Sequence, residues 1–273
     1  MLIEGPKLRG TFVSRPNRFL ALVRINDEIT PCYLPDPGRL KELLYPGAEV
    51  LTRCMRGSTL TGGLPRVEGE WDSRGAETGG KVRKTQYDVF AVVRKERKGE
   101  KLVSVDTRMP NRLVREALVQ KNIKEFMEYD RIKPEFTHGS SRLDFMLERE
   151  NDSSERRCLL EVKSCNLVVS GVALFPDAPT KRGRRHVEEL TKAKSSGEYD
   201  RACILFIVQR DDAESFEPYK STDPQFAEAL CHALSRGVEA YAYRVRVSED
   251  RMLLSKSIPV NAAPNSPKVR GLG

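Results

Sequence analysis

The sequence predicts an α+β chain in two parts: a β-rich barrel or sandwich, then a mixed sheet flanked by helices. Three observations lead there. The first hundred residues hold short branched or aromatic runs punctuated by turn chemistry. From about Met109, helical periodicity appears and then alternates with strand-like runs. Two of those later runs, "RLDFML" (142–147) and "LLEVKS" (159–164), are apolar strands that carry acids in the middle.

The chain has 273 residues, enough for two modest domains, and 39% hydrophobic residues, enough to fill their cores. No stretch approaches the roughly 18 consecutive apolar residues of a membrane span. The start, "MLIEGPKL", lacks the basic-then-apolar layout of a signal peptide. A cytoplasmic protein with no membrane partner is therefore expected. The six cysteines, Cys32, Cys54, Cys158, Cys165, Cys203 and Cys231, show no CxxC spacing, so buried free thiols are expected. The three histidines are scattered. A net charge of +8 favours a polyanionic partner, nucleic acid first.

Residues 1–105 form the predicted β-rich domain. Its strands are "GTFVSRP", "RFLALVRI", "EITPCYL", "AEVLTRCM", "QYDVFAVV" and "KLVSVDT". Asp36-Pro37-Gly38 and Tyr45-Pro46-Gly47 mark turns. The segment Gly57–Gly80, rich in Gly, Ser and Thr, is expected to be a mobile loop anchored by Trp71. The run "RKERKGEK" (94–101) is either a basic rim or a hairpin tip.

Residues 106–260 form the second predicted domain. "PNRLVREALVQKNIKEFMEY" places Leu113, Val114, Ala117 and Leu118 on one helical stripe, with Pro110 in the first turn. Three strands follow: "RIKPEFTH", "RLDFMLE" and "CLLEVKSC". A second helix is expected from Thr180, its N-cap, to Ser196, with Gly183 a weakness in the first turn. "ACILFIVQ" reads as a strand buried on both faces. Asp223-Pro224 starts a third helix that closes at Gly237, and "VEAYAYRVRV" alternates as the final strand. Residues 261–273 are polar and broken by Pro and Gly, and are expected to be disordered.

The acids in the strands need an explanation, because an unpaired buried charge costs several kcal/mol. Glu161 and Lys163, two apart on a strand, point to one face, and the side chain of Val162 points to the other. The polar loop "RENDSSERR" folds the two strands into a hairpin that brings Asp144 beside Glu161. Two neighbouring carboxylates repel, and a hard divalent cation such as Mg²⁺ or Mn²⁺ removes the conflict. The metal set is Asp144, Glu161 and Val162. Lys163 is placed to orient an attacking water or stabilise developing charge, which is the chemistry of metal-assisted phosphodiester hydrolysis. An Asp followed at a distance by Glu-x-Lys is the motif of the PD-(D/E)xK nuclease superfamily, and the strand context matches a restriction-endonuclease-like core. The motif alone is degenerate; a surface ion pair at strand ends is the other reading.

Glu116, beside the apolar stripe of the first helix, is a third candidate acid or a solvated glutamate. Its neighbour Arg112 is a candidate DNA contact or a surface charge. In "FPDAPTKRGRRHVEEL" (175–190), Lys181, Arg182, Arg184 and Arg185 cluster at a helix start, where cations oppose the macrodipole. Phosphate contacts explain them, and so does a solvated basic face. His186 is read as a phosphate contact or catalytic aid, or as a plain surface histidine. Arg142, at the head of "RLDFML", joins the DNA-contact candidates.

The blocks "RFLALV", "LPDPGRL", "NRLVREAL", "SRLDFML", "LLEVKS", "FPDAPTKRGRRHVEEL" and "SIPV" fall in an order that resembles the sugar fermentation stimulation protein A family over most of residues 8–260. The resemblance implies an OB-fold-like N-terminal part, a PD-(D/E)xK nuclease-like remainder, and DNA binding with little sequence preference. Carried over by motif, Asp144, Glu161 and Lys163 take the nuclease positions, with Glu116 as the helix acid. Many members carry Asn-Thr-Gly where this chain has Asp36-Pro37-Gly38, so a role for that asparagine amide is not carried over. The Gly57–Gly80 loop looks like an elaboration. An OB-like barrel would add a basic groove with aromatic stacking. Arg18, Phe19 and Arg39 are its candidates here, although Phe19 also suits the core. The expected partner is DNA, with no small-molecule cofactor, and a homodimer is left open. The expected function is metal-dependent DNA cleavage. The alternative is a non-catalytic, non-specific DNA-binding or regulatory protein. No Gly-rich phosphate loop or dinucleotide fingerprint supports an enzyme of sugar metabolism.

Overall fold

The computed structural model describes residues 1–55, 85–96, 99–149 and 156–262. The Gly57–Gly80 segment with Trp71, the tip of the 94–101 run, the centre of the "RENDSSERR" loop and the tail from 263 lie outside the described residues. Two compact units emerge. One is Met1–Met109 with Val247–Met252, and the other is Pro110–Arg246 with the described part of Leu253–Gly273.

The first unit is a closed barrel. Its strands are β1 (Lys7–Asn17), β2 (Leu20–Ile25), β3 (Glu28–Tyr33), β4 (Glu49–Cys54), β5 (Tyr87–Glu96) and β6 (Gly99–Ser104). β1 pairs antiparallel with β2 and β4, β2 with β3, and β4 with β5. A short parallel pairing of β3 with β5, Cys32 opposite Tyr87, closes the ring, and β6 extends outward from β5. Closure joins β1 through β5 into one ring, as in a five-stranded OB barrel, and leaves β6 at the outer edge. Asn26 and Asp27 both take positive φ, as a two-residue turn of type I′ between β2 and β3 demands. Phe12, Val23, Leu34, Leu43, Val50, Val89 and Val103 fill the interior.

The barrel also buries charge. Asp88 and Asp106 are fully buried, and Arg53 lies between them, 2.8 Å from Asp106 and 3.6 Å from Asp88. Arg108 closes the set at 2.6 Å from Asp88 and 2.7 Å from Asp106. Each acid thus has cationic partners, which is the condition for tolerating it inside.

The second unit holds α1 (Met109–Val119), β7 (Arg131–His138), β8 (Ser141–Arg149), β9 (Arg156–Cys165), β10 (Val168–Val169), β11 (Val172–Phe175), α2 (Lys181–Ser195), β12 (Arg201–Val208), β13 (Ser215–Pro218), α3 (Pro224–Ser235), β14 (Glu239–Val247) and β15 (Met252–Ile258). The main sheet runs β15-β14-β12-β9-β8-β7. β9, β12 and β14 are parallel, and β7, β8 and β9 form an antiparallel meander. β12 sits centrally, and its residues from Ala202 to Val208 are all buried.

The structure differs from the sequence reading in three respects. The first helix stops at Val119, because Lys121 adopts a left-handed φ and the Asn122 N–H turns back to the Ala117 carbonyl. β14 is not the last strand: β15 follows and takes the sheet edge. β10, β11 and β13, too short to show a period, make a separate three-stranded sheet. Thr180 does cap α2, accepting from the Gly183 N–H at 3.0 Å, and Asp223 caps α3.

Candidate active site

β8 and β9 keep ladder register as far as Phe145 opposite Leu160. One residue further, Asp144 faces Glu161, and the ladder gives way to a side chain. Asp144 Oδ2 accepts the Val162 N–H at 2.7 Å, while Oδ1 accepts from Asn111 Nδ2 of α1 at 2.6 Å. The Asp144 carboxylate therefore lies at the opening between two strands. Burial and then the nearby Glu161 charge push its pKa up to about 6, against the opposing pull of the Val162 N–H and Lys163.

Glu161 is 2% exposed. It shares a face of β9 with Leu159 and Cys165, which belong to one buried core with Val187 and Leu190 of α2. That face brings His186 into contact. Glu161 Oε1 accepts from both Lys163 Nζ and His186 Nδ1. Burial favours the neutral acid, but Lys163 and His186 outweigh it and hold the carboxyl below its ordinary range. The two acids are thus displaced in opposite directions, the pattern expected where carboxylates have separate roles. Glu161 Oε2 is buried and has no hydrogen-bond partner.

These residues fit a divalent cation. The orphaned Oε2, an opposed carboxylate of raised pKa and the main-chain carbonyl of Val162 are hard oxygen donors. Among the described residues, no group of three or more His, Cys, Asp and Glu is arranged to hold a metal. Waters and a substrate phosphate would complete the shell, as Mg²⁺ prefers.

The other candidates fall as follows. The helix side chain that reaches Asp144 is Asn111. Glu116 is five residues on, about 140° further around the helix at 3.6 residues per turn. Arg112 is exposed on α1, and Arg142 is exposed on β8 with Glu135 at 3.6 Å. Lys181, Arg182 and Arg185 are exposed on the first turns of α2, whereas Arg184 is held by Gln225 and Glu188. His186 is buried at 2%, so it acts on Glu161 from inside rather than as a surface phosphate contact. In the barrel, Arg18 and Arg39 are exposed. Arg15 donates to the carbonyls of Arg18, Asp36, Gly38 and Arg39, so one guanidinium fixes both turns that present them. Phe19 is half-buried and stacks on Tyr33 at 6.3 Å. Asn111 and Arg15 were not singled out in the sequence, since neither belongs to a motif with a spacing of its own.

Comparison with known proteins agrees with this architecture. The description "Sugar fermentation stimulation protein RE domain" matches residues 108–251, and "SfsA N-terminal OB domain" matches residues 13–61. A sugar fermentation stimulation protein homolog of Alkaliphilus metalliredigens is 40% identical over 94% of this chain and 98% of its own length. The chain belongs to the sugar fermentation stimulation protein family. A homolog of that name from Thermoanaerobacter pseudethanolicus is 38% identical over 95% of this chain and 99% of its own length. A solved structure, described as Pyrococcus furiosus SfsA in complex with Ca²⁺, matches with a TM-score of 0.75 and 29% identity, covering 95% of this chain and 97% of that one. The OB-domain match takes in the end of β1 and all of β2, β3 and β4 of the barrel, and the RE-domain match contains the Asp144–Glu161 pair. No helix among the described residues is long and apolar enough to cross a membrane.

Proposed function

We propose that this family member hydrolyses DNA phosphodiester bonds with a divalent metal and little sequence preference. The observation that carries the reading is the pair Asp144 and Glu161, opposed across β8 and β9, with Lys163 on the Glu161 face. A bound Mg²⁺ or Mn²⁺ would supply Lewis acidity and a water of lowered pKa. Asp144 and Glu161 would hold it, together with the Val162 carbonyl. Lys163 stands two residues from Glu161 and is only slightly exposed, so its ammonium can orient a water or neutralise charge on the attacked phosphate. Asn111 holds Asp144 in place from α1. Lys181, Arg182 and Arg185, exposed at the start of α2, suit phosphate contacts that carry no base information. The Ca²⁺ in the described Pyrococcus furiosus complex is consistent with a cation-binding site in a relative.

The test is incubation with single-stranded, duplex and branched DNA plus Mg²⁺ or Mn²⁺, beside Asp144→Ala. Metal-dependent cleavage that disappears in the variant supports the reading. Cleavage that persists unchanged in the variant, or DNA binding without cleavage of any substrate, overturns it.

A further inference from the structure

Glu161 is held asymmetrically. Both donors in reach, Lys163 Nζ and His186 Nδ1, converge on Oε1, and Oε2 is left buried and bare. We propose that His186 is a positioning residue: it fixes the orientation of the Glu161 carboxylate, so that the oxygen left bare is turned to the cation. This rests on the metal-dependent reading above.

The two donors differ in rigidity. Lysine carries its ammonium on a flexible four-carbon stem and can follow either oxygen. The terminal torsion of a glutamate is broad, so Lys163 alone would let the carboxylate plane swing. His186 cannot follow. Its ring is 2% exposed on α2, packed among residues that line the sheet. Its tautomer is constrained as well. Arg182 Nε lies 3.4 Å from His186 Nε2, and a guanidinium only donates. Nε2 is therefore the acceptor, and Nδ1 carries the proton that Glu161 accepts. Lys163 Nζ and His186 Nδ1 stand 3.5 Å apart, as two donors sharing one oxygen would.

The helix that carries the ring is anchored at its start. Thr180 caps α2, and the Thr180 N–H is itself held at 2.8 Å by Asp223, which also caps α3 through the Phe226 N–H at 2.9 Å. His186 thus refers Glu161 to a fixed frame. Residues that orient a metal ligand from behind change affinity by about 10–100-fold when lost.

The experiment is calorimetric titration of Ca²⁺ into the full chain, without DNA, for the wild type, His186→Leu, His186→Asn, His186→Gln and Asp144→Asn. Asparagine places an amide N–H where Nδ1 stands, and glutamine places the same group one bond further out. His186→Asn is expected to bind close to the wild-type value, with His186→Leu and His186→Gln weaker by about tenfold or more. The Asn–Gln contrast keeps the test valid should His186→Leu not fold. A merely structural histidine would not separate two amides of the same chemistry. Wild-type affinity in His186→Gln, or equal weakening in His186→Asn and His186→Gln, overturns the inference and leaves the metal site standing. No Ca²⁺ binding by the wild type, or undiminished binding by Asp144→Asn, removes the site and the inference together.

Discussion

At the scale of single residues, Asp144 has the most to report. Its folded pKa of about 6 lies above the ordinary carboxylate value, so the folded state holds this proton more tightly than the unfolded chain. The sign follows: the metal-free protein should lose stability as pH rises from about 4 to about 6, and the loss persists above. Asp144→Asn, which cannot ionise, should remove that dependence. Urea unfolding across this pH range measures it. The same variant should lose cleavage. In the barrel, Arg53→Met should cost about 3–5 kcal/mol, because it leaves Asp88 and Asp106 short of a cation. Asp144, Glu161 and Lys163 were legible in sequence because they break an apolar strand pattern. The inward role of His186 was not, since its partner lies on another element and a histidine on a basic helix turn looks solvated. Asn111 was hidden for the same reason.

At the scale of elements, local chemistry was legible where caps and periods are strong. Thr180 and Asp223-Pro224 announce α2 and α3, and "ACILFIVQ" announces the buried strand β12. The reading overshot at α1, because the apolar spacing continues past Val119 while the backbone turns at Lys121. It also missed β15, whose half-exposed edge position blurs its alternation. Asp223 matters beyond its own helix. One carboxylate oxygen caps α3, and the other accepts the Thr180 N–H. Asp223→Ala should therefore destabilise the chain by about 2 kcal/mol, towards the top of the range for a single cap. Asp223→Asn, with one acceptor oxygen left, should cost about half as much. Urea denaturation of the full chain distinguishes the two.

At the scale of the whole molecule, a net charge of +8 pointed to nucleic acid without saying where it would bind. The exposed side chains of Lys181, Arg182 and Arg185 are the address proposed for that contact. DNA affinity is expected to fall with salt, and the triple alanine variant should lower the log–log slope by about 2–3, close to one for each phosphate no longer neutralised. Fluorescence anisotropy at several salt concentrations reads this directly. A slope unchanged by the triple variant would move the interface elsewhere.

The order in which the barrel unit acquires its parts during synthesis follows from Val247–Met252, the turn that joins β14 to β15. Its N-terminal residues are tied there: the Ile3 N–H donates to the Asp250 carbonyl, the Met252 N–H donates to the Met1 carbonyl, and Arg9 pairs with Glu249 at 2.8 Å. A ribosome making this chain emits the first residues of the unit at the outset and their partners only near the finish. N-terminal units commonly complete folding while the rest is still being made. Here the opening segment must wait for almost the entire message to be read. A gene cut after codon 109 would deliver all six barrel strands, and a nascent chain stalled before residue 247 would hold them too, but in both Met1, Ile3 and Arg9 would lack these late partners.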